Sequence, residues 1–171
     1  MGCKMQPILI VLGGFMNNIK TSELSDALNE MSVADIDHYY KENGINPGTE
    51  LDKWYDYASD IINEKKQKKK EVLIRADIKE KYGYNLLSGQ SRIGKRRDII
   101  IRIAYAANFT LVELNRTLKL AGFSELYVKD PRDAFIYAVF AHRTSNNQVF
   151  KLNEELINHG FSKLQEVGKQ E

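Results

Sequence analysis

Residues 89–95, GQSRIGK, have the G-x-x-x-x-G-K spacing of a loop that cradles nucleotide phosphates. In such a loop backbone N–H groups surround the phosphates, the lysine reaches them, and the next residue offers a hydroxyl to Mg²⁺. Here the next residue is Arg96, whose charge repels a cation. The preceding residues, KEKYGYNLLS, are also unlike the apolar run of a buried parallel strand. Nucleotide chemistry is not expected, and the basic residues of this loop need another explanation. No second chemical constellation stands out. His38, His142 and His159 lie far apart with no ligand-spaced partner. Cys3 is the single cysteine, which leaves no disulfide framework and no cysteine metal site. The expectation is a protein that is not an enzyme, with no catalytic residues, no metal and no cofactor.

The formal net charge of +2 conceals an uneven layout. Residues 1–64 carry 4 Lys or Arg against 11 Asp or Glu, a balance of −7. Residues 65–102 carry 13 against 4, a balance of +9, and residues 103–171 carry 8 against 8. A solvated helix face or a disordered tail would give the same count. The block lies between helical segments, which argues against a tail, and a polyanion-binding surface is the first expectation.

The elements that would position these residues read as helices throughout. Thr21 or Ser22 can cap a helix to Glu30. Ser32 with Asp35 resembles a capping box for a helix through Tyr39 and Tyr40 to Gly44, before a turn at Asn46, Pro47 and Gly48. Thr49 with Asp52 opens a helix whose Leu51, Trp54, Tyr55, Ala58, Ile61 and Ile62 recur at helical spacing. Two short helices follow. One has Val72, Leu73 and Ala76 on its apolar face. The other covers 79–88 and stops at Gly89, and Asp77 between them tolerates a left-handed turn. IIIRIAYAANF predicts a longer helix, apolar on most sides. Thr110 and Glu113 form a capping box, and Gly122 with Phe123 a Schellman stop. Asp130 caps a helix with Pro131 in its first turn, and 134–141, AFIYAVFA, reads as buried on nearly every side. Ser145 with Gln148 opens a last helix through Phe150, Leu152, Leu156 and Ile157 to Gly160. No alternating strand pattern, hairpin turn or internal repeat is present, so the fold class is all-α. No run is long enough to span a bilayer. The opening MGCKMQPILIVLGGF superficially resembles a signal peptide. It lacks a small-x-small cleavage site, and Gln6 stands where a myristoylation signal needs Ser or Thr. Residues 1–20 are expected to be a dispensable or flexible extension.

From residue 49 to 122 the helices run long, short, short, long, medium. A tight pair of short helices braced by longer ones is the helix-turn-helix arrangement. EVLIRADIKEKYGYNLLSGQSR, then DIIIRIAYAANFTLVEL, resembles the lambda-repressor-like (Cro/CI, XRE-type) helix-turn-helix family. There an apolar-Ala face on helix two leads to the turn. The recognition helix ends in a Gly-Lys/Arg loop, and the next helix ends in A-x-x-L/F-[ST]-L-x-E-L. Residues 104–114, AYAANFTLVEL, fit that last pattern, and SGQSR at 88–92 fits the loop. More loosely, over 20–164, Tyr82-Gly83-Tyr84, the stretch 118–127, Arg132-Asp133 and the stretch 153–160 are similar to pieces found in bacterial regulator-like proteins. The chain departs from the family at several points. Asp77 stands for the turn glycine, Lys69 for the glutamine that opens helix two, and the proline after the recognition helix is absent. The loop 89–97 is longer and more basic than usual. Gly83 inside the recognition helix costs about 1 kcal/mol against Ala, which close packing on the preceding helix would explain. These departures bear on base specificity more than on fold.

The resemblance implies a five-helix repressor-like core and a DNA-binding transcriptional regulator, bacterial or phage, acting in the cytoplasm. Arg92, Lys95, Arg96 and Arg97 would contact phosphates from the loop, and Lys69 and Lys70 from the start of helix two. Lys79, Glu80, Lys81, Tyr84 and Asn85 would face base edges. Asn85 could read adenine, Lys79 or Lys81 guanine, and Glu80 could accept from cytosine N4. The alternative for Tyr84 and Asn85 is that they only pack or cap. The expected organisation is an extension at 1–20, acidic helices at 21–48, the DNA-binding core at 49–122, helices at 123–164 and a tail at 165–171. The C-terminal helices would complete the core or build a two-fold interface, and a homodimer through part of 123–161 is favoured. The acidic N-terminal or the C-terminal helices could also take a protein partner, or the acidic front could shield the basic middle. The competing function is an interaction module that keeps a repressor-like fold without binding DNA. No membrane partner is expected.

Overall fold

Left-handed residues just past the C-terminal ends, Lys66, Asp77, Gly89, Asn108, Gly122 and Gly160, stop six of the described helices, while side chains cap few of the N-terminal ends. The structure, a computed structural model, describes residues 21–43, 53–142 and 147–165, and these contain α-helices, one 3₁₀ turn and no strand. The chain divides into two units between Glu50 and Leu51. The first contains α1 (Thr21–Glu30), the 3₁₀ turn (Val33–Asp35) and α2 (Ile36–Glu42). Ser32 Oγ accepts from the Ala34 N–H at 3.3 Å, so it caps the 3₁₀ turn. Asp35 ends that turn and precedes α2 without a side-chain cap bond, so the expected reciprocal box with Ser32 is not made. Gly44, the turn at 46–48, the opening at Thr49 and Asp52, and residues 1–20 lie outside the described residues.

The second unit contains α3 (Trp54–Glu64), α4 (Lys69–Arg75), α5 (Glu80–Leu87), α6 (Arg97–Ala106), α7 (Leu111–Leu120), α8 (Pro131–His142) and α9 (Val149–Asn158). At its centre, α6 has every residue from Ile99 to Ala106 buried. It packs against α4, α7 and α9, while α3 packs against α5 and α7, and α4 against α5. Full burial of each of its isoleucines contributes roughly 1.5–3 kcal/mol. Thr110 and Glu113 close both halves of the capping box: Glu113 N–H donates to Thr110 Oγ1 at 3.2 Å, and Thr110 N–H to Glu113 Oε2 at 2.6 Å. The expected stop at Gly122 is a Schellman turn, with Phe123 N–H donating to the Leu118 carbonyl at 2.9 Å and Gly122 at φ +78°. Asp130 Oδ1 accepts from the Asp133 N–H at 2.8 Å, which fixes the entry to α8 around Pro131.

Two expectations about the C-terminal helices change. The stretch 134–141, apolar on all sides, buries only Ile136 and Phe140; Tyr137, Ala138 and Ala141 are exposed. Chiefly α7 packs against α8, so one stripe suffices. The last helix buries Val149, Leu152 and Leu156, while Phe150 is 51 % exposed. Ile136, Phe140, Val149, Leu152 and Leu156 share one hydrophobic cluster with α3–α7, as does Leu164 beyond the last helix, so the helices after residue 123 complete the core. No described helix is long and apolar enough to cross a membrane.

Candidate nucleic-acid interface

The α4–α5 pair is held by three local devices. At the turn, Asp77 is left-handed at φ 53°, as the sequence leads one to expect of Asp there. This lets the Ile78 N–H reach the Leu73 carbonyl at 3.0 Å, and Ile78 itself is buried. At the contact, Gly83 faces Leu73 so closely that a Cβ would lie 2.3 Å from Leu73 Cδ2. The glycine in the middle of α5 therefore serves close approach of the two helices. At the far end, Gly89 is left-handed at φ 72°, and a Cβ there would lie 2.5 Å from the Tyr55 ring of α3. Gly83, Leu86 and Leu87 turn the inner side of α5 into the core.

That leaves Glu80, Lys81 and Tyr84 on the outer side, with Lys79 at the N-cap and Asn85 half-buried. Glu80 pairs with Lys70 of α4 at 3.5 Å, which brings the N-terminal turns of the two helices together. The segment 88–96 returns along α5. Ser91 N–H donates to the Asn85 carbonyl at 2.9 Å, and Ile93 is buried. The Arg96 guanidinium lies over the Tyr82 ring, 5.8 Å from its centroid, a cation–π arrangement. Arg92 and Lys95 are exposed between these anchors. Lys79, Lys81, Arg92 and Lys95 form no ion pair among the described residues, so their charges are available to a polyanion.

Other basic residues are engaged inside the fold. Lys69 Nζ donates to Ser59 Oγ at 3.0 Å, and that hydroxyl donates to the Leu87 carbonyl at 3.2 Å, tying the start of α4 to α3 and to the end of α5. Arg97, expected on phosphate, instead makes a two-pronged pair with Asp133 at 2.8 and 2.9 Å and donates to the carbonyls of Ser124 and Glu125. It anchors the start of α6 to the connection before α8, because Asp133 is buried and needs a cation. Burial pushes the Asp133 carboxyl up, but hydrogen bonds from Arg97 and the Tyr127 N–H, with the charges of Arg97 and Arg132, outweigh it and leave the group below the ordinary carboxylate value. Lys65 pairs with Glu113 at 3.1 Å. Arg75 donates to the Ala106 carbonyl at 3.1 Å and to Gln67 Oε1, and Gln67 donates to the Ala107 carbonyl at 2.7 Å, which closes the C-terminal end of α6. The balance of +9 over 65–102 therefore overstates the charge presented to a ligand.

The charge count also hid Arg102. It is fully buried on α6 and donates to the carbonyls of Ala76, Leu164 and Gln165. Its signal in the sequence is a lone charge inside IIIRIAYAA, a place where a helix face cannot leave it in water. No family model, curated protein or solved structure matches the chain.

Proposed function

We propose that the protein is a DNA-binding transcriptional regulator of the helix-turn-helix type, with α5 as the helix that enters the major groove of double-stranded DNA. One observation carries this reading. Two short helices meet at a tight left-handed turn, and the outer side of the second, with the loop behind it, presents Lys79, Lys81, Arg92 and Lys95, which form no ion pair among the described residues. Phosphate contacts come from Arg92, Lys95 and Arg96 and from Lys70; these position the protein without reading sequence. Lys79, Glu80, Lys81, Tyr84 and Asn85 are the candidates for base edges, with Glu80 also paired to Lys70. Arg97 is left out of the contact set and Lys69 is secondary, since both are engaged within the fold. The repressor-like resemblance, a homodimer on paired half-sites and action in the cytoplasm belong to the same proposal. A second reading, an interaction module that does not bind DNA, is favoured by exposed Ile74 (67 %) and Tyr84 (40 %) on the same two helices.

A salt titration of binding to a random duplex separates the two. The DNA reading expects affinity to fall steeply, with a log–log slope of about −3 to −4 for four or so phosphate contacts. Electrophoretic shifts with fragments from upstream of the protein's own gene then test for specific sites. Absence of any salt-dependent duplex binding at low ionic strength would overturn the DNA reading.

A further inference from the structure

The segment after α9 has no regular secondary structure, yet it is held at every step by side chains. Arg132 donates to the carbonyls of Ser162 at 3.1 Å and Lys163 at 3.4 Å, and is itself paired with Asp98 at 2.9 Å. Leu164 is fully buried, and its N–H donates to Asn153 Oδ1 at 2.8 Å. Gln165 N–H donates to Asp98 Oδ2 at 2.9 Å. The carbonyls of Leu164 and Gln165 each accept from Arg102, both at 2.9 Å. The same guanidinium donates from Nη1 to the Ala76 carbonyl at 3.1 Å and to Asp77 Oδ2 at 3.4 Å. The C-cap of α4 and the left-handed residue of the α4–α5 turn thus share one buried cation with the C-terminal segment.

We propose that residues 161–165 are a strap whose docking on Arg102 sets the geometry of the α4–α5 turn, and so regulates the binding face. A guanidinium is a rigid planar fork, so its acceptors cannot move independently by more than a fraction of an ångström. When the strap lifts, Nε and Nη2 of a fully buried Arg102 lose their acceptors. The group must then rotate or admit water, and either change loosens its hold on Ala76 and Asp77. The carboxylate nearest to it, Asp77, is 76 % exposed at its side chain and cannot compensate for three lost or weakened carbonyl contacts. Whatever competes for the C-terminal segment would reach the DNA face through a single side chain.

The DNA arm of the test rests on the proposed function; the exchange arm does not. In the full chain, Asn153→Ala removes the bond to the Leu164 N–H, and Leu164→Ala removes the buried side chain. Amide hydrogen exchange should rise at least fivefold at Asp77 and Ile78 in both variants, with α7 unchanged. Duplex affinity should fall at least threefold with an unchanged salt slope, because the phosphate contacts are retained while α5 is misaligned. Faster exchange at 164–165 with no change at 77–78 would overturn the proposal. An equal rise throughout α6 and α7 would overturn it too, since the segment would then be ordinary core. If the unmodified protein shows no salt-dependent duplex binding, the DNA reading fails, and the exchange result still decides the strap.

Discussion

At the scale of single residues, exposure and pairing sort the basic side chains into two kinds. Arg92 and Lys95 are exposed and form no ion pair among the described residues, so Arg92→Ala or Lys95→Ala should weaken binding to every duplex alike and reduce the salt slope by about one unit each. Thermal stability should not change, and a shift in preference among sequences with the slope intact would refute the phosphate role. Arg97→Ala should behave in the opposite way. It leaves buried Asp133 without its cation, so urea unfolding should register a loss of roughly 2–4 kcal/mol. Asp133 also makes the fold sensitive to acid. Its folded-state carboxyl lies below the unfolded value of about 3.8, so its stabilisation is complete above that pH and disappears as pH falls through the lower folded value. Asp133→Asn should be less stable than the unmodified protein at neutral pH, and the gap should narrow when unfolding is measured below about pH 3.8. A gap that stays constant with pH would refute this account.

At the scale of elements, the α4–α5 pair depends on a glycine for its closeness. Gly83→Ala would gain about 1 kcal/mol of helix propensity in isolation. In the fold the new methyl must displace Leu73, whose side chain lies within 2.3 Å of it and is itself fully buried. Overpacking of this kind costs typically 1–3 kcal/mol. The expected net result is destabilisation, seen as a lower urea midpoint, together with weaker duplex binding because α5 is pushed off α4. A variant more stable than the unmodified chain would show that Leu73 repacks freely and that the glycine has no packing role. The sequence already placed Asp77 and Gly83 at a turn and at a close contact, because backbone conformations open to few residue types leave visible marks. It did not distinguish Arg97 from Arg96, since neighbouring arginines in a basic run carry no sign of which one meets a carboxylate 36 residues away.

At the scale of the whole molecule, the helices after residue 123 are core first. Phe140 is buried and meets the Tyr105 ring edge-on at 5.6 Å, whereas Phe150 is half-exposed on α9. Phe140→Lys should therefore unfold the second unit, and Phe150→Lys should leave its helical circular dichroism intact. The same Phe150→Lys variant tests the homodimer. If sedimentation finds a dimer for the unmodified protein at tens of micromolar, its loss in this variant would place the interface on α9. A monomer with and without DNA would end the dimer proposal.

The sequence by itself determined the all-α class and most helix ends. Periodicity and caps are local properties: Thr110 finds Glu113 one turn away, and Gly122 and Asp77 need no distant partner to adopt their backbone angles. It also located the outer face of α5, because Gly83, Leu86 and Leu87 mark the inner one by spacing. Only the tertiary structure decided which charges face outward. Arg97, Arg75 and Arg102 look like members of one basic block until the fold sets Asp133, the end of α6 and the carbonyls of 164–165 beside them. Likewise, the apolar residues of 134–141 could not say how many of their sides meet a neighbour. Both answers depend on contacts between residues far apart in the chain, and the order of residues alone does not reveal which of those contacts will form.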